Sequence, residues 1–343
     1  MVFSASAVTA REQYGNGYHF LLRQLLWLVI GFLGMFAMVE MDYRRLRQPR
    51  FVFTFLFVVL LMLVGVFFLD KSHATHRWIR LGPASLQPSE LAKLGIIFFL
   101  AWFLETRRRP HGPGVNNFER TLLPAAGVIV FLVALVLLEP DLGTAIEIFL
   151  IAFAMLFVAG LSEKYVFGAG AAAVPVVYFA IVHVSYRYER FMAFLHPDAD
   201  PQGHGFQLMQ SLIAVGSGGL TGVGLMESKQ KLFYLPEAHT DFIYAVLCEE
   251  LGFIGGAIVL ALFALFAWRG LRAAFRAPDD FGRFLALGIT VMVITQALIN
   301  LGVVLGMMPT KGIPLPFISY GGSSLLVMLL ATGVLLNVSQ QGN

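Results

Sequence analysis

Cysteine is almost absent: the only one in 343 residues is Cys248, inside an apolar run. That excludes an intrachain disulfide and any cysteine-based zinc site. The eight histidines are scattered, with no HExxH pair. No GxxxxGK[ST] stretch occurs, so there is no P-loop. Residues 1–20 lack a basic start and are too short for a cleavable leader. Charge is scarce as well. Charged residues make up 13% of the chain, against about a quarter in soluble domains. Nothing reads as a soluble catalytic domain, so any chemistry has to sit on a membrane scaffold. The net charge of +3 is small, and the basic residues cluster in loops. That pattern reports membrane topology rather than nucleic-acid binding.

What the chain has in abundance is apolar residues, 58% of the total. They fall into runs long enough to cross a bilayer, which takes roughly 20 residues. The expected fold is an all-α polytopic membrane domain over 1–343, with about nine spans. These are Leu25–Val39, Phe51–Leu69, Leu91–Leu104, Leu122–Leu138, a fifth from the Glu139-Pro140-Asp141 turn to Gly160, Tyr165–Val184, Phe242–Trp268, Phe284–Gly306 and Ile318–Val338. The third is short unless Ser89 begins it. Arginine-rich loops at 42–50, 107–120 and 269–283, with Lys164 between them, alternate along the chain and so share the cytoplasmic side. The loops at 70–90, 139–141, 185–241 and 307–318 then lie outside. Parity leaves residues 1–20 outside with no span before them. The expectation is a further span upstream, of which MVFSAS would be the tail.

The large outer loop, 185–241, is not a plain linker. Tyr188–Leu195 alternates charged and bulky residues as an interfacial helix does. GFQLMQSLIAVGSGGLTGVG begins amphipathic and ends rich in glycine. Those glycines form a bend, or else present backbone N–H groups to an anion. The loop ends at Asp241, where polar sequence gives way to an apolar run. Thr240-Asp241 there suits a helix N-cap, and a carboxylate at that boundary also suits a general base on a membrane-anchored substrate. Glu90 and Lys93, at i,i+3, can pair. Glu147, Glu249 and Glu250 imply a polar interior, and the last two, being adjacent, face different ways. Arg77 and Arg80 flank Trp78. Lys311 precedes Ser319-Tyr320-Gly321-Gly322-Ser323-Ser324, whose small residues permit close helix packing, or whose hydroxyls face a sugar or pyrophosphate.

With these blocks laid out, the chain resembles the SEDS family of peptidoglycan glycosyltransferases, the group containing FtsW, RodA and SpoVE. The blocks are MVFSASA, DYRRLR, WIRLGPASLQPSELAK, EPDLGTA, GSGGLTGVG, KLFYLPEAHTDFIYAVLCEELG and PTKGIPLPFISYGGSSLL, in that order along nearly the whole chain. KLFYLPEAHTDF and MPTKGIPLPFISYGGSS make it more similar to the FtsW and SpoVE branch than to RodA. The family has ten spans, one more than is counted here, and Met226-Glu227 stands where smaller or more polar residues are expected. The resemblance implies polymerisation of lipid II into β-1,4 glycan with release of undecaprenyl pyrophosphate, and a septal role. It implies Asp241 as the catalytic carboxylate, a general base on the acceptor 4-hydroxyl in a single inverting displacement. Arg77, Arg80, Lys93 and Lys311 would stabilise the pyrophosphate, with a divalent cation, Mg2+ or Mn2+, as the alternative. No metal-binding residues are assigned. Glu90, Lys231, His239, Ser319, Tyr320, Ser323 and Ser324 complete the expected substrate contacts. The implied partners are a class B penicillin-binding protein and divisome membrane proteins, at the bacterial inner membrane with the active site on the outer face. Two other classes compete: a lipid II flippase, which would gather its polar groups near mid-membrane, and a non-catalytic scaffold. A RodA-type elongation role is the alternative within the family.

Overall fold

The computed structural model describes residues 1–70, 77–81, 84–108, 112–197, 203, 205–232 and 234–342. The chain falls into two compact units, one of residues 1–25, 163–264 and 296–321 and the other of 26–162, 265–295 and 322–343. Every predicted span coincides with a helix. These are α2 (His19–Glu40), α3 (Pro49–Leu69), α4 (Pro88–Arg108), α5 (Leu123–Leu138), α6 (Leu142–Val158), α7 (Glu163–Val182), α10 (Ile243–Arg276), α11 (Asp280–Val304) and α12 (Gly322–Gln341). Among the described residues seven helical stretches are long and apolar enough to cross a membrane. α6, with 17 residues, is shorter, and α4 carries internal charges. The remaining helices are α1 (Val2–Tyr14), α8 (Ser185–Leu195) and α9 (Phe206–Ser217). α8 and α9 fall within the stretch read as a structured outer loop. α4 begins at Pro88, which supplies the length the sequence left in question, because Pro is favoured in a first helical turn. The last span starts four residues later than predicted, because 309–321 forms an irregular strap.

In the larger unit, α4 packs against α3, α5, α6 and α12. It is buried nearly all round from Ala92 through Leu104, with the charged Lys93 enclosed in that stretch. α2 and α12 approach closely through small residues. A Cβ on Gly31 or Gly34 would strike Leu329 or Leu330, and one on Gly333 would strike the backbone at Met35. β1 (Ile79–Leu81) and β2 (Ala84–Leu86) form an antiparallel hairpin before α4.

In the other unit the decisive feature is a break in α10. Gly252 has φ 67° and ψ −168°, outside the helical region. Such a break strands carbonyls before it and N–H groups after it, which apolar surroundings do not satisfy. The glycine-rich segment after α9 takes up four of them. Val223 and Gly224 N–H donate to the carbonyls of Glu249 and Glu250 at 3.0 and 3.1 Å, while Phe253 and Ile254 N–H donate to Gly219 and Leu220 at 2.9 and 3.1 Å. The glycines therefore serve backbone-to-backbone contact. The alternative of an anion nest loses these N–H groups to protein carbonyls. Gly222 (φ +83°) leaves no room for a side chain, since a Cβ there would collide with the carbonyl of Glu250. Gly222→Ala combines that collision with left-handed backbone, so a loss of more than about 2 kcal/mol is expected. Thermal unfolding in detergent reads it, and an unchanged Tm would show that the segment does not seal the break. Met226, flagged as a departure from the family pattern, also has a left-handed backbone at φ 70°. That costs a non-glycine residue roughly 1–2 kcal/mol.

Candidate active site

Asp241 precedes α10. The N-cap position belongs to the next residue, since Phe242 carbonyl accepts from Ala245 and Val246 N–H at 3.0 and 3.4 Å. The half-buried Asp241 is thus one residue outside the helix, not at its cap. Its main chain is held firmly. Asn300 on α11 donates through Nδ2 to the carbonyls of Asp241 and Ile313, both at 2.7 Å. Ser319 Oγ donates to the Thr240 carbonyl at 2.5 Å and accepts from Leu315 N–H at 2.8 Å. Tyr320 N–H donates to the His239 carbonyl at 3.0 Å. Gln24 donates to the Ser319 carbonyl at 3.1 Å and accepts from Gly321 N–H at 3.3 Å, and Gln296 donates to Pro314 at 2.9 Å. The Asn300, Ser319 and Tyr320 bonds join the strap at 309–321 to the segment before α10, and the Gln24 and Gln296 bonds tie the strap to α2 and α11.

Two consequences follow for the carboxylate. A Cβ on Gly312 would come within 3.0 Å of Asp241 Oδ2, so glycine there lets the strap lie against the carboxylate without crowding it. Lys311 is the residue just before Gly312. Glu237 (φ 54°) and Phe317 (φ 64°), one on each segment, hold left-handed backbone despite their side chains. Such strain persists only where surrounding bonds over-determine it, and it clusters at functional sites. The His239 and Tyr320 rings both pack on Phe20, at 4.7 and 4.9 Å between centroids. Burial lowers the His239 pKa, partly offset by Glu237, so the imidazole favours its neutral form. Burial likewise raises the Tyr320 pKa.

Lys231 lies elsewhere in this unit. Its ammonium, buried, pairs with Glu250 Oε1 at 2.8 Å and donates to Ser4 Oγ at 3.2 Å. That arrangement favours an internal brace over substrate contact. Glu249 turns away from Glu250, as adjacency requires. It accepts from Ser228 Oγ at 2.5 Å and from Lys229 N–H at 2.9 Å.

The other unit holds the second group of candidates. Lys93 is fully buried, with Nζ 2.9 Å from Glu90 Oε1 and 3.3 Å from Glu147 Oε2. Arg77 Nε donates to the Glu139 carbonyl at 2.9 Å, and its Nη2 donates to the Pro140 carbonyl. It therefore clamps the turn between α5 and α6. Arg80 is exposed on β1. Ser323 and Ser324 are buried in the first turn of α12, which suits close packing better than sugar contact.

Both carboxyl oxygens of Glu139 are buried without a hydrogen-bond partner among the described residues. Burial, then the Asp141 charge, push its pKa up to about 8, against the pull of Arg77. An acid with a raised folded pKa contributes stability below its unfolded pKa, and that contribution fades as pH rises through the folded value. Stability is thus expected to fall between about pH 4.5 and about pH 8, and Glu139→Gln should flatten that slope in a pH series of unfolding curves. An unaltered slope would show that Glu139 stays ionised.

Among the described residues no group of three or more His, Cys, Asp or Glu is placed to hold a metal ion.

Asn300, Gln296, Gln24 and Ser4 were not among the sequence candidates. Gln296 and Asn300 did leave a signal: two amides four residues apart on one face of an apolar helix, a spacing that predicts a shared polar contact.

The fold and site define a polytopic α-helical membrane protein that holds an accessible carboxylate on a braced loop at the entry to a spanning helix. The sequence matches the family described as cell cycle protein, FtsW/RodA/SpoVE, across residues 1–343. It is 44% identical to the probable peptidoglycan glycosyltransferase FtsW of Trichlorobacter lovleyi over 342 residues, covering 99% of this chain and 88% of that one. It is 44% identical to stage V sporulation protein E of Bacillus subtilis, covering 99% and 92%. Among solved structures it is similar to a chain of a peptidoglycan synthase complex that coordinates polymerization and crosslinking, with TM-score 0.79, 32% identity and coverage of 99% and 95%. It is also similar to the rod shape determining protein RodA of Thermus thermophilus, with TM-score 0.69, 29% identity and coverage of 99% and 93%. The chain belongs to the FtsW/RodA/SpoVE family.

Proposed function

We propose that this chain is a peptidoglycan glycosyltransferase that polymerises lipid II, with a septal role. The observation that carries the mechanism is the half-buried carboxylate of Asp241, set just outside α10 on a main chain tied down by Asn300 and Ser319. A general base must meet its proton within about 3 Å, and a braced loop supplies that positioning at little entropic cost. Asp241 takes the proton from the acceptor 4-hydroxyl as that oxygen attacks the donor anomeric carbon. The bond from that carbon to the pyrophosphate oxygen breaks, undecaprenyl pyrophosphate leaves, and the α linkage becomes β in one displacement. Negative charge on the leaving pyrophosphate calls for cations, and Lys311, on the strap in the same unit as Asp241, suits that role; Lys93 is fully buried between two acids.

In this reading the arginine-rich loops lie in the cytoplasm, the Asp241 loop faces outward from the inner membrane, and a class B penicillin-binding protein and divisome membrane proteins are the partners. The buried Lys93–Glu90–Glu147 group gives the flippase reading its one specific support, because charges inside spanning helices often mark transport paths. The test is purified protein with a class B penicillin-binding protein and labelled lipid II. Glycan ladders are expected. Lipid II crossing a proteoliposome bilayer without any ladder would replace the polymerase with a flippase.

A further inference from the structure

The last turns of α10 and α12 enclose a cavity of about 120 Å³ that the reaction does not use. Its walls are Arg269, Arg272, Ala273 and Arg276 from α10, with Ser339 and Gly342 from the other side. The three arginines follow an i, i+3, i+7 spacing, which aligns them on one helix face. Gly342 lets the chain close against α10, since a Cβ there would come within 2.8 Å of the Arg276 carbonyl.

Arginines at the end of a spanning helix are ordinary, but these are gathered around a concavity and lack acidic partners. No carboxylate among the described residues pairs with Arg269, Arg272 or Arg276. The nearest acids in the chain are engaged elsewhere: Asp279 accepts from Tyr43 Oη at 2.9 Å and lies 3.5 Å from Arg44, and Asp280 pairs with Arg108 at 3.4 Å. α12 contains no acidic residue. Two helix C-termini meet here and each contributes about half a negative charge. Three full positive charges outweigh them. Trp268, which is exposed, has the guanidinium carbons of Arg269 and Arg272 each 5.9 Å from its ring centroid. A tryptophan beside arginines at a span end is the signature of the headgroup layer.

We propose that this cavity binds the phosphodiester of an anionic membrane lipid. Guanidinium groups grip phosphate oxygens in pairs, the Ser339 hydroxyl donates to a third, and the acyl chains run away from the helix end along the exposed apolar surface of α10 that begins at Leu265. The inference rests on the membrane-spanning class of the fold and is independent of the glycosyltransferase reading.

The test is native mass spectrometry of the detergent-solubilised full chain, titrated with phosphatidylglycerol or phosphatidylcholine. The wild type is expected to retain phosphatidylglycerol in preference to phosphatidylcholine, including in millimolar inorganic phosphate. Combined R269Q, R272Q and R276Q should weaken it on the order of a hundredfold. Ser339→Phe, which fills the cavity and leaves every charge in place, should weaken it too and guards against misfolding of the triple variant. Arg283→Gln, outside the cavity, should leave binding unchanged. Equal retention of both lipids, or wild-type retention by Ser339→Phe, overturns the proposal. Displacement of the lipid by inorganic phosphate assigns the cavity to a soluble anion and overturns the lipid assignment.

Discussion

Asp241→Asn is expected to lower lipid II polymerisation by about 10²–10⁴-fold, the usual worth of a positioned general base, while leaving the fold intact. The separation of the two effects comes from how the residue is held. Asn300 and Ser319 grip the carbonyls of Asp241 and Thr240, and an amide side chain alters neither bond. Asn also keeps the size of Asp beside Gly312. What it loses is the ability to accept a proton from the acceptor hydroxyl. Glycan synthesis, measured with the class B partner present and Tm measured in parallel, reads both quantities. A rate equal to wild type would remove Asp241 as the base. A loss of rate matched by a collapsed Tm would make it a structural residue. The braces themselves allow a contrast. Asn300→Ala frees the loop without touching the carboxylate, so it should reduce both rate and stability.

Lys93→Met is expected to destabilise the protein by about 3–5 kcal/mol, the cost of leaving buried charge without its partner. Lys93 has no exposed surface and is the shared partner of Glu90 and Glu147. Removing it leaves two carboxylates facing each other on α4 and α6, away from water. Replacing all three with neutral residues of similar volume, as Glu90→Gln, Lys93→Met and Glu147→Gln together, should recover most of that loss, because an intact buried ion pair contributes little over a packed neutral equivalent. Thermal unfolding of the single and triple variants measures the difference. If the single variant unfolds like wild type, the pairing does not hold the two helices together. Polymerisation by the stable triple variant then addresses chemistry. Activity near wild type would assign the cluster to packing, and loss of activity with recovered stability would assign it to the reaction.

Much of this protein was legible in its sequence because a bilayer imposes strict local rules. A span must be apolar and about 20 residues long. Each predicted span therefore coincided with a helix, and the order of the motif blocks already carried the family resemblance. Asp241 stood out as a candidate for a similar reason: a carboxylate where polar sequence meets a long apolar run is conspicuous without any fold. The adjacency of Glu249 and Glu250 required them to face apart, and they do.

Other features depended on contacts between residues distant in the chain. The glycines at 216–224 read as a bend first, with an anion nest as the alternative. Only the break at Gly252 decided between these, because its stranded backbone groups needed partners and the glycine segment alone comes close enough to supply them. Lys231 read as a substrate contact until Glu250 and Ser4, 19 and 227 residues away, were found bound to it. The N-cap reading of Asp241 yielded to Phe242 because a helix start is set by which carbonyl accepts the first bond, and one residue of phase lies below what composition resolves. The arginines on α10 read as topology markers. Their line of charge becomes a binding cavity only when the end of α12 closes it. Local periodicity determines where a helix forms, whereas the partner of a buried charge or stranded N–H is chosen by packing.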